Sequence, residues 1–476
     1  MNGIMSLSRP TGIVCSYLDR TDRQKALLVS RLFYEAISPY QDVVIPIDAR
    51  AINYSNKQGK YLSSLFEGYF SLEPINDAIS LTRTASQEDR EKVEELELSN
   101  VNLANLAKIA EICPNLRYLR LSLFKIDREF IDFLSVNNFI IKDLNLYRVS
   151  PEDLEYVLVR LTSIQSLYLF DISQFSPELL TRFGSSLKTL VLSDCKIDDQ
   201  ASFKESLSQL SNLEYLNFNM EVFIDVLIDI NPSLKKLCIG SRVIVEPDSL
   251  KRVLSRLTNL EYLMIKPSVE ELTGLPLSLK SLLLSKIQNE ENLKRALSTL
   301  PKLEYLDLSD TDISGDALTE ISPSVRTLIL AGCARLESAA LEHTLIRLPN
   351  LEELDLSDTL CRRGFSEARN NPRISGREFM CMGPKLKKLT LKGNLSFHSE
   401  HLLRYIFKTV DPTTKKSSLE KVDVSYTVPT EAPGLRGESH PILDIVVKID
   451  GKYYPFLQTL KSLIPDVECE RFFQYY

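Results

Sequence analysis

The sequence predicts an α/β solenoid in which short parallel strands stack side by side and helices run back along the opposite face. Three observations predict it. The pattern L/I/V-x-x-L/V-x-L/I/F/V occurs fourteen times, with first positions at Val93, Leu116, Ile141, Ile164, Leu187, Leu213, Leu234, Leu260, Leu279, Leu303, Val325, Leu351, Leu386 and Leu419. The intervals between copies average about 25 residues, enough for one strand and one return segment. Helix starts fall between the copies: SPEDLEYVLVRL (150–161) offers Ser150 as N-cap, Pro151 at the first helical position, and Glu152 and Asp153 beside the positive end of the dipole. SPELLTRF (176–183) repeats the device and predicts another helix.

Within one copy, PKLEYLDLSDTDIS (301–314), Leu306 and Leu308 fall on one side of a strand and Tyr305, Asp307 and Ser309 on the other, with Leu303 and Ile313 closing the unit. Such a strand cannot bury its apolar side alone, so the copies must stack. Motif and period resemble those of leucine-rich-repeat proteins over about two-thirds of the chain. That resemblance implies a curved horseshoe with parallel strands inside and helices outside. Cys195 and Cys333 occupy the ninth position, where that family places Asn or Cys. Asn394, Thr311 and Thr359 take it in other copies, and Val101, Val149 and Ile172 replace it with apolar residues. This is similar to the intracellular, cysteine-containing type of repeat.

Repeat arrays escape length rules for domain number, because each unit contacts mainly its neighbours. The predicted order is a small all-α module at 1–40, a linker and N-terminal cap at 41–92, repeats at 93–434 with long loops at 357–385 and 410–418, and a cap at 435–476. In that last segment ILDIVVKIDGKYYPF (442–456) alternates apolar residues around Asp450-Gly451, a tight-turn dipeptide, and FLQTLKSLI (456–464) reads as a helix. Arg362, Arg363, Arg369, Arg373 and Arg377, set among Gly, Asn, Pro and Ser, predict a basic surface loop.

A net charge of −7, from 57 basic and 64 acidic residues, argues against a duplex nucleic-acid binder. No run of apolar residues is long enough to predict a membrane span, so the chain reads as soluble with no membrane partner. The eight cysteines lack any C-x-x-C pair, which favours reduced thiols in the cytoplasm or nucleus. Catalysis finds little support, since there are four histidines and no nucleophile-elbow, zinc-protease or P-loop pattern. No cofactor is expected. Cys361, Cys381, His398 and His401 could supply four zinc ligands, but their spacing matches no common site and no metal is expected.

At the N-terminus, residues 16–38 read SYLDRTDRQKALLVSRLFYEAIS, with Ala26, Val29, Phe33 and Ile37 along one helix face and Asp22 as its N-cap. SYLD, Asp22 and ALLVSRLFYEAI together resemble an F-box motif. The Leu-Pro pair that opens the motif is missing at its usual distance, and Cys15, Ser30 and Phe33 stand where Phe, Cys and Trp are common. The resemblance implies that Tyr17, Leu18, Leu28, Val29 and Phe33 form or support a contact with the Skp-type adaptor of a cullin-RING ubiquitin ligase. The chain would then be the substrate-recognition subunit. The alternatives are a leucine-rich-repeat scaffold or inhibitor with no ligase link, including a microbial effector in a host cytosol, and an enzyme with an unrecognised site in the 360–401 region.

A protein substrate is expected on the concave face, where the third, fifth and seventh motif positions bring Tyr118, Tyr147, Tyr168, Phe170, Tyr215 and Tyr262, with Arg120, Asn145, Asn217, Met264 and Tyr305 beside them. Tyr147, Tyr168 and Phe170 depart from the recurring N-L-E-Y-L habit, which places the partner on the N-terminal half. The second position alternates in sign over ten copies: Lys188, Glu214, Lys235, Glu261, Lys280, Glu304, Arg326, Glu352, Lys387, Glu420. On strands about 4.8 Å apart each charge would have opposite neighbours, a register device that points to duplication of a two-repeat unit.

Overall fold

The structure is a computed structural model that describes residues 44–47, 50–55, 95–424, 446–449 and 452–468, with breaks at 100–101, 124, 198, 269–271, 288, 334, 360–375 and 394–398. Tyr17, Leu18, Leu28, Val29 and Phe33 lie outside the described residues, as do Cys361, His398 and most of the basic loop. The chain forms two compact units, Met1–Glu214 and Tyr215–Tyr476.

In the first unit, β3 (Glu95–Ser99), β4 (Tyr118–Leu123), β5 (Ile140–Tyr147), β6 (Ser166–Phe170) and β7 (Thr189–Ser193) pair in parallel in sequence order. Strand β2 (Arg50–Ser55) joins β3 antiparallel, and β1 (Val44–Ile47) joins β2 the same way. In the second unit the parallel order runs β8 (Tyr215–Asn219), β9 (Lys236–Ile239), β10 (Tyr262–Ile265), β11 (Ser281–Leu284), β12 (Tyr305–Asp307), β13 (Thr327–Ile329), β14 (Glu353–Asp355), β15 (Lys388–Thr390) and β16 (Lys421–Asp423). Each motif copy therefore makes one strand. Its first, fourth and sixth residues supply the core, as Leu303, Leu306 and Leu308 do at 0 % exposure, and the odd positions between them face away from the helices.

The return segments carry the duplication in their backbone. After α1 (Leu103–Ile112), α2 (Arg128–Val136) and α3 (Pro151–Arg160), α-helices alternate with shorter elements. The α-helices α4 (Gln200–Ser208), α5 (Pro247–Arg256), α6 (Glu290–Ser298), α7 (Ser338–Arg347) and α8 (Ser399–Lys408) each precede a strand whose second motif position is Glu. The 3-10 helices Pro177–Phe183, Ile224–Leu227, Asp316–Glu320 and Arg377–Cys381 precede strands with Lys or Arg there, and the interval before Lys280 holds no helix among its described residues.

Of the two Ser-Pro helix starts read in the sequence, the first is capped as expected. The Ser150 hydroxyl accepts from the Asp153 N–H at 3.2 Å, and Asp127, Asp199 and Asn289 cap α2, α4 and α6 in the same way. The segment 176–183 departs from expectation: Pro177–Phe183 is a 3-10 helix, and Ser176 makes no side-chain cap bond. Its Pro lies thirteen residues after the motif start at Ile164, against ten after Ile141 for α3, because Phe175 is spent on a backbone bridge to Ile197. Seven residues at about 2.0 Å per residue reach about as far as ten at about 1.5 Å, so the tighter helix closes the shorter segment.

At the ninth position, polar side chains satisfy carbonyls inside the turn. The Cys333 thiol donates to the Leu308 carbonyl at 3.1 Å, and the Thr311 hydroxyl donates to the same carbonyl at 2.6 Å. Burial pushes the Cys195 and Cys333 thiols up to about 11. Toward the C-terminus, β17 (Val446–Ile449) and β18 (Lys452–Pro455) form an antiparallel hairpin with two residues between Ile449 and Lys452, followed by α9 (Phe456–Leu463). Beyond it β19 (Asp466–Glu468) pairs in parallel with β16. Ile464-x-x-Val467-x-Cys469 is thus a fifteenth motif, hidden by Cys at its sixth position. The stretch 410–418 is a tight turn in which Asp411 accepts from the Thr413 and Thr414 N–H groups.

Candidate functional site

On the open face of the first unit, register brings together three of the aromatic residues singled out by the sequence. Tyr147 and Phe170 are paired across β5 and β6, and their rings stack at 4.5 Å with an interplanar angle of 11°. Tyr168 stands one row away, between Asn145 and Val191. All three aromatic side chains are half-buried. Asn145 donates its amide to the Ser122 hydroxyl at 2.8 Å, which fixes the floor beside Tyr168.

Tyr118 does not belong to this cluster. β5 starts early, at Ile140, and its register with β4 shifts after Leu119, so that Arg120 lies opposite Asp143 and Tyr118 opposite Ile140. The extra residue is Lys142, whose ammonium sits 3.8 Å from the centroid of the Tyr118 ring. Arg120 and Asp143 form an ion pair in the row between. Tyr118 is therefore two rows from Tyr168, about 13 Å along the strands.

Tyr215 and Tyr262 belong to the second unit, on β8 and β10, with Lys236 of β9 between them in the register. Burial pushes both phenols up to about 12, with the Cys238 thiol as the next cause. The Tyr215 hydroxyl lies 3.8 Å from the Cys238 sulfur, which donates to it.

The alternating second-position charges pair as their order predicts. Lys280 meets Glu261 at 3.0 Å, Arg326 meets Glu352 at 2.9 Å, and Lys387 meets the same Glu352 at 2.7 Å. The Lys387 and Arg326 hydrogen bonds hold the Glu352 carboxyl below its ordinary value. The three cations are exposed and the two glutamates half-exposed, and pairs of this kind set register more than they stabilise. Among the described residues, no group of three or more His, Cys, Asp or Glu is placed to hold a metal ion, and no helix is long and apolar enough to cross a membrane.

A leucine-rich-repeat family model matches residues 185–201 and 299–322, the second of which spans PKLEYLDLSDTDIS. The match agrees with an architecture of one strand per motif copy joined by return segments. The fold is a leucine-rich-repeat solenoid. No curated protein matches the chain. Among solved structures, an internalin from Listeria monocytogenes strain 4b F2365 is similar at 18% identity and a TM-score of 0.40, covering 66% of this chain and 87% of that one. Leucine-rich repeats of this design expose a strand face that suits protein contacts, and the Tyr147–Phe170 pair stacks on it.

Proposed function

We propose that this chain is a non-catalytic, protein-binding subunit whose first unit holds a protein partner at the Tyr147–Phe170 stack. The observation that carries this reading is two large rings stacked at 4.5 Å on an open strand face. Rings already ordered by each other lose little conformational freedom when a partner covers them, which is how aromatic anchors dominate interfaces. Tyr168 and Asn145 add a phenol and an amide in the adjacent row, a polar margin that would orient the partner.

The finer form of the proposal is a substrate-recognition subunit of a Skp-cullin-F-box type ubiquitin ligase. It rests on the F-box-like sequence at 16–38, and it assigns the chemistry to partner enzymes. Co-purification from eukaryotic cells tests both levels. Leu18→Asp with Phe33→Ala should lose the Skp-type adaptor and keep the substrate protein, whereas Tyr147→Ala with Phe170→Ala should lose the substrate and keep the adaptor. If wild type captures no adaptor, the ligase role falls and a scaffold without a ligase link takes its place. If the Tyr147/Phe170 variant stays folded and retains every partner, the binding surface is elsewhere.

A further inference from the structure

The open face of the second unit carries an arrangement that the proposed function does not use. Third-position residues run Tyr215, Lys236, Tyr262, Ser281, Tyr305 from β8 to β12. Two gaps between tyrosines are therefore equivalent in position, and the chain places a lysine in one and a serine in the other. A group midway between two such tyrosines lies about 4.8 Å from each strand, inside the ~6 Å reach of a cation over an aromatic ring. In the first unit this chain makes that contact itself, with Lys142 over Tyr118.

The surroundings of the serine gap select for a cation with apolar neighbours. In the next row Met264 and Leu283 are paired side by side, both half-buried. Asp307 follows Leu283 in that row, with Ile329 and then Asp355 beyond it. Burial first, and then the carboxylates of Asp307, Glu353 and Asp355, hold the Tyr305 phenol above its ordinary value, so a negative field reaches this side of the gap. Of the nearby cations, Lys280 is engaged by Glu261 at 3.0 Å. Lys236 on β9 and Lys266 at the end of β10 stand on the Tyr262 side.

We propose that the gap over Ser281, between Tyr262 and Tyr305, takes an arginine side chain from an extended basic segment of a partner protein, with an apolar residue two positions away in that segment resting on Met264 and Leu283. Charge complementarity with Asp307 and Asp355 chooses a basic segment over an acidic one, and the planar guanidinium suits a space bounded by two rings. An extended chain presents alternate residues to the same face about 6.6 Å apart, the step from the Ser281 row to the Met264–Leu283 row, and a leucine on each side of the arginine meets that row in either chain direction.

The test uses the full chain and a fluorescein-labelled peptide, Gly-Leu-Thr-Arg-Thr-Leu-Gly, against the same peptide with citrulline, which keeps the shape of arginine without its charge. Fluorescence anisotropy should show the arginine peptide binding about tenfold tighter, with the ratio shrinking as salt rises. Ser281→Lys, which fills this gap as Lys236 fills its counterpart, should abolish that preference without changing the circular dichroism spectrum. Asp307→Asn should reduce the preference and leaves the serine in place, so it decides the matter if the lysine variant misfolds. Tyr147→Ala, in the other unit, should bind the peptide as wild type does, which separates this surface from the proposed one. Equal binding of the two peptides, no saturable binding of either, or unchanged preference in both Ser281→Lys and Asp307→Asn overturns the inference.

Discussion

Glu290 joins two successive repeats through one carboxylate, and removing it should show how much such a joint is worth. Its two oxygens accept from the Ser314 N–H at 2.9 Å, the Ser314 hydroxyl at 2.9 Å, the Gly315 N–H at 2.8 Å and the Ala317 N–H at 3.2 Å. Three of these donors are backbone groups at the start of the 3-10 helix Asp316–Glu320, where no intrahelical acceptor exists. Loss of an ordinary N-cap side chain costs about 0.5–2 kcal/mol. Four bonds to one half-exposed carboxylate, discounted for water and screening, place Glu290→Ala at about 2–3 kcal/mol. Glu290→Gln keeps one accepting oxygen and should cost about half of that. Although burial pushes the Glu290 carboxyl up, its hydrogen bonds outweigh that and hold it below the ordinary value. Its contribution is therefore present above the unfolded carboxyl value, about pH 4.3, and is lost as pH falls through the lower folded value. Urea unfolding at pH 7 and pH 3 measures both effects, and hydrogen exchange at Gly315 and Ala317 locates them. A Glu290→Ala cost below about 0.5 kcal/mol, or a wild-type advantage over Glu290→Gln that persists undiminished at pH 3, would refute the reasoning.

Further outcomes follow from the same geometry. Single and double alanine replacement of Tyr147 and Phe170 should reveal a coupling of about 0.5–1.5 kcal/mol in a double-mutant cycle on unfolding, as stacked pairs give, and zero coupling would mean the rings do not hold each other. Ile464→Ala, at a residue only 1% exposed, should cost about 2–4 kcal/mol on urea unfolding if β19 and α9 close the second unit as the fifteenth repeat. Iodoacetamide at pH 8 followed by mass spectrometry should modify half-exposed Cys381 well before buried Cys195 and Cys333, whose thiols burial raises to about 11. Glu352→Lys should lower the thermal midpoint slightly, more at low salt than at high, because it sets like charge between Arg326 and Lys387.

Strand positions were legible because the spacing of Leu303, Leu306 and Leu308 leaves only one way to put all three in the core. Helix type was less so. Ser-Pro-Glu begins both Pro151–Arg160 and Pro177–Phe183, and only the residues remaining before the next motif separate an α-helix from a 3-10 helix. The aromatic cluster was legible in part: Tyr147, Tyr168 and Phe170 stand out by breaking a pattern, but a motif scan assumes that like positions align. One bulge at Lys142 moves Tyr118 out of their reach. β19 escaped notice because Cys469 replaces an aliphatic residue. The serine gap was visible as a break in the order Tyr, Lys, Tyr, Ser, Tyr, and acquired meaning only once strand register made those residues neighbours.

The alternation of α-helix with shorter element, locked to the alternation of Glu with Lys or Arg, gives the array a parity. Excising the single copy 303–324 would set Lys280 beside Arg326 and remove the Glu304 strand that separates them. Excising 303–350 would instead bring Lys280 against Glu352, opposite in sign again, and would carry one α-helix and one 3-10 helix away together. Viable shortened or lengthened forms of this chain should therefore differ by even numbers of repeats, and a designer recombining its parts has the pair, not the single leucine-rich motif, as the interchangeable brick.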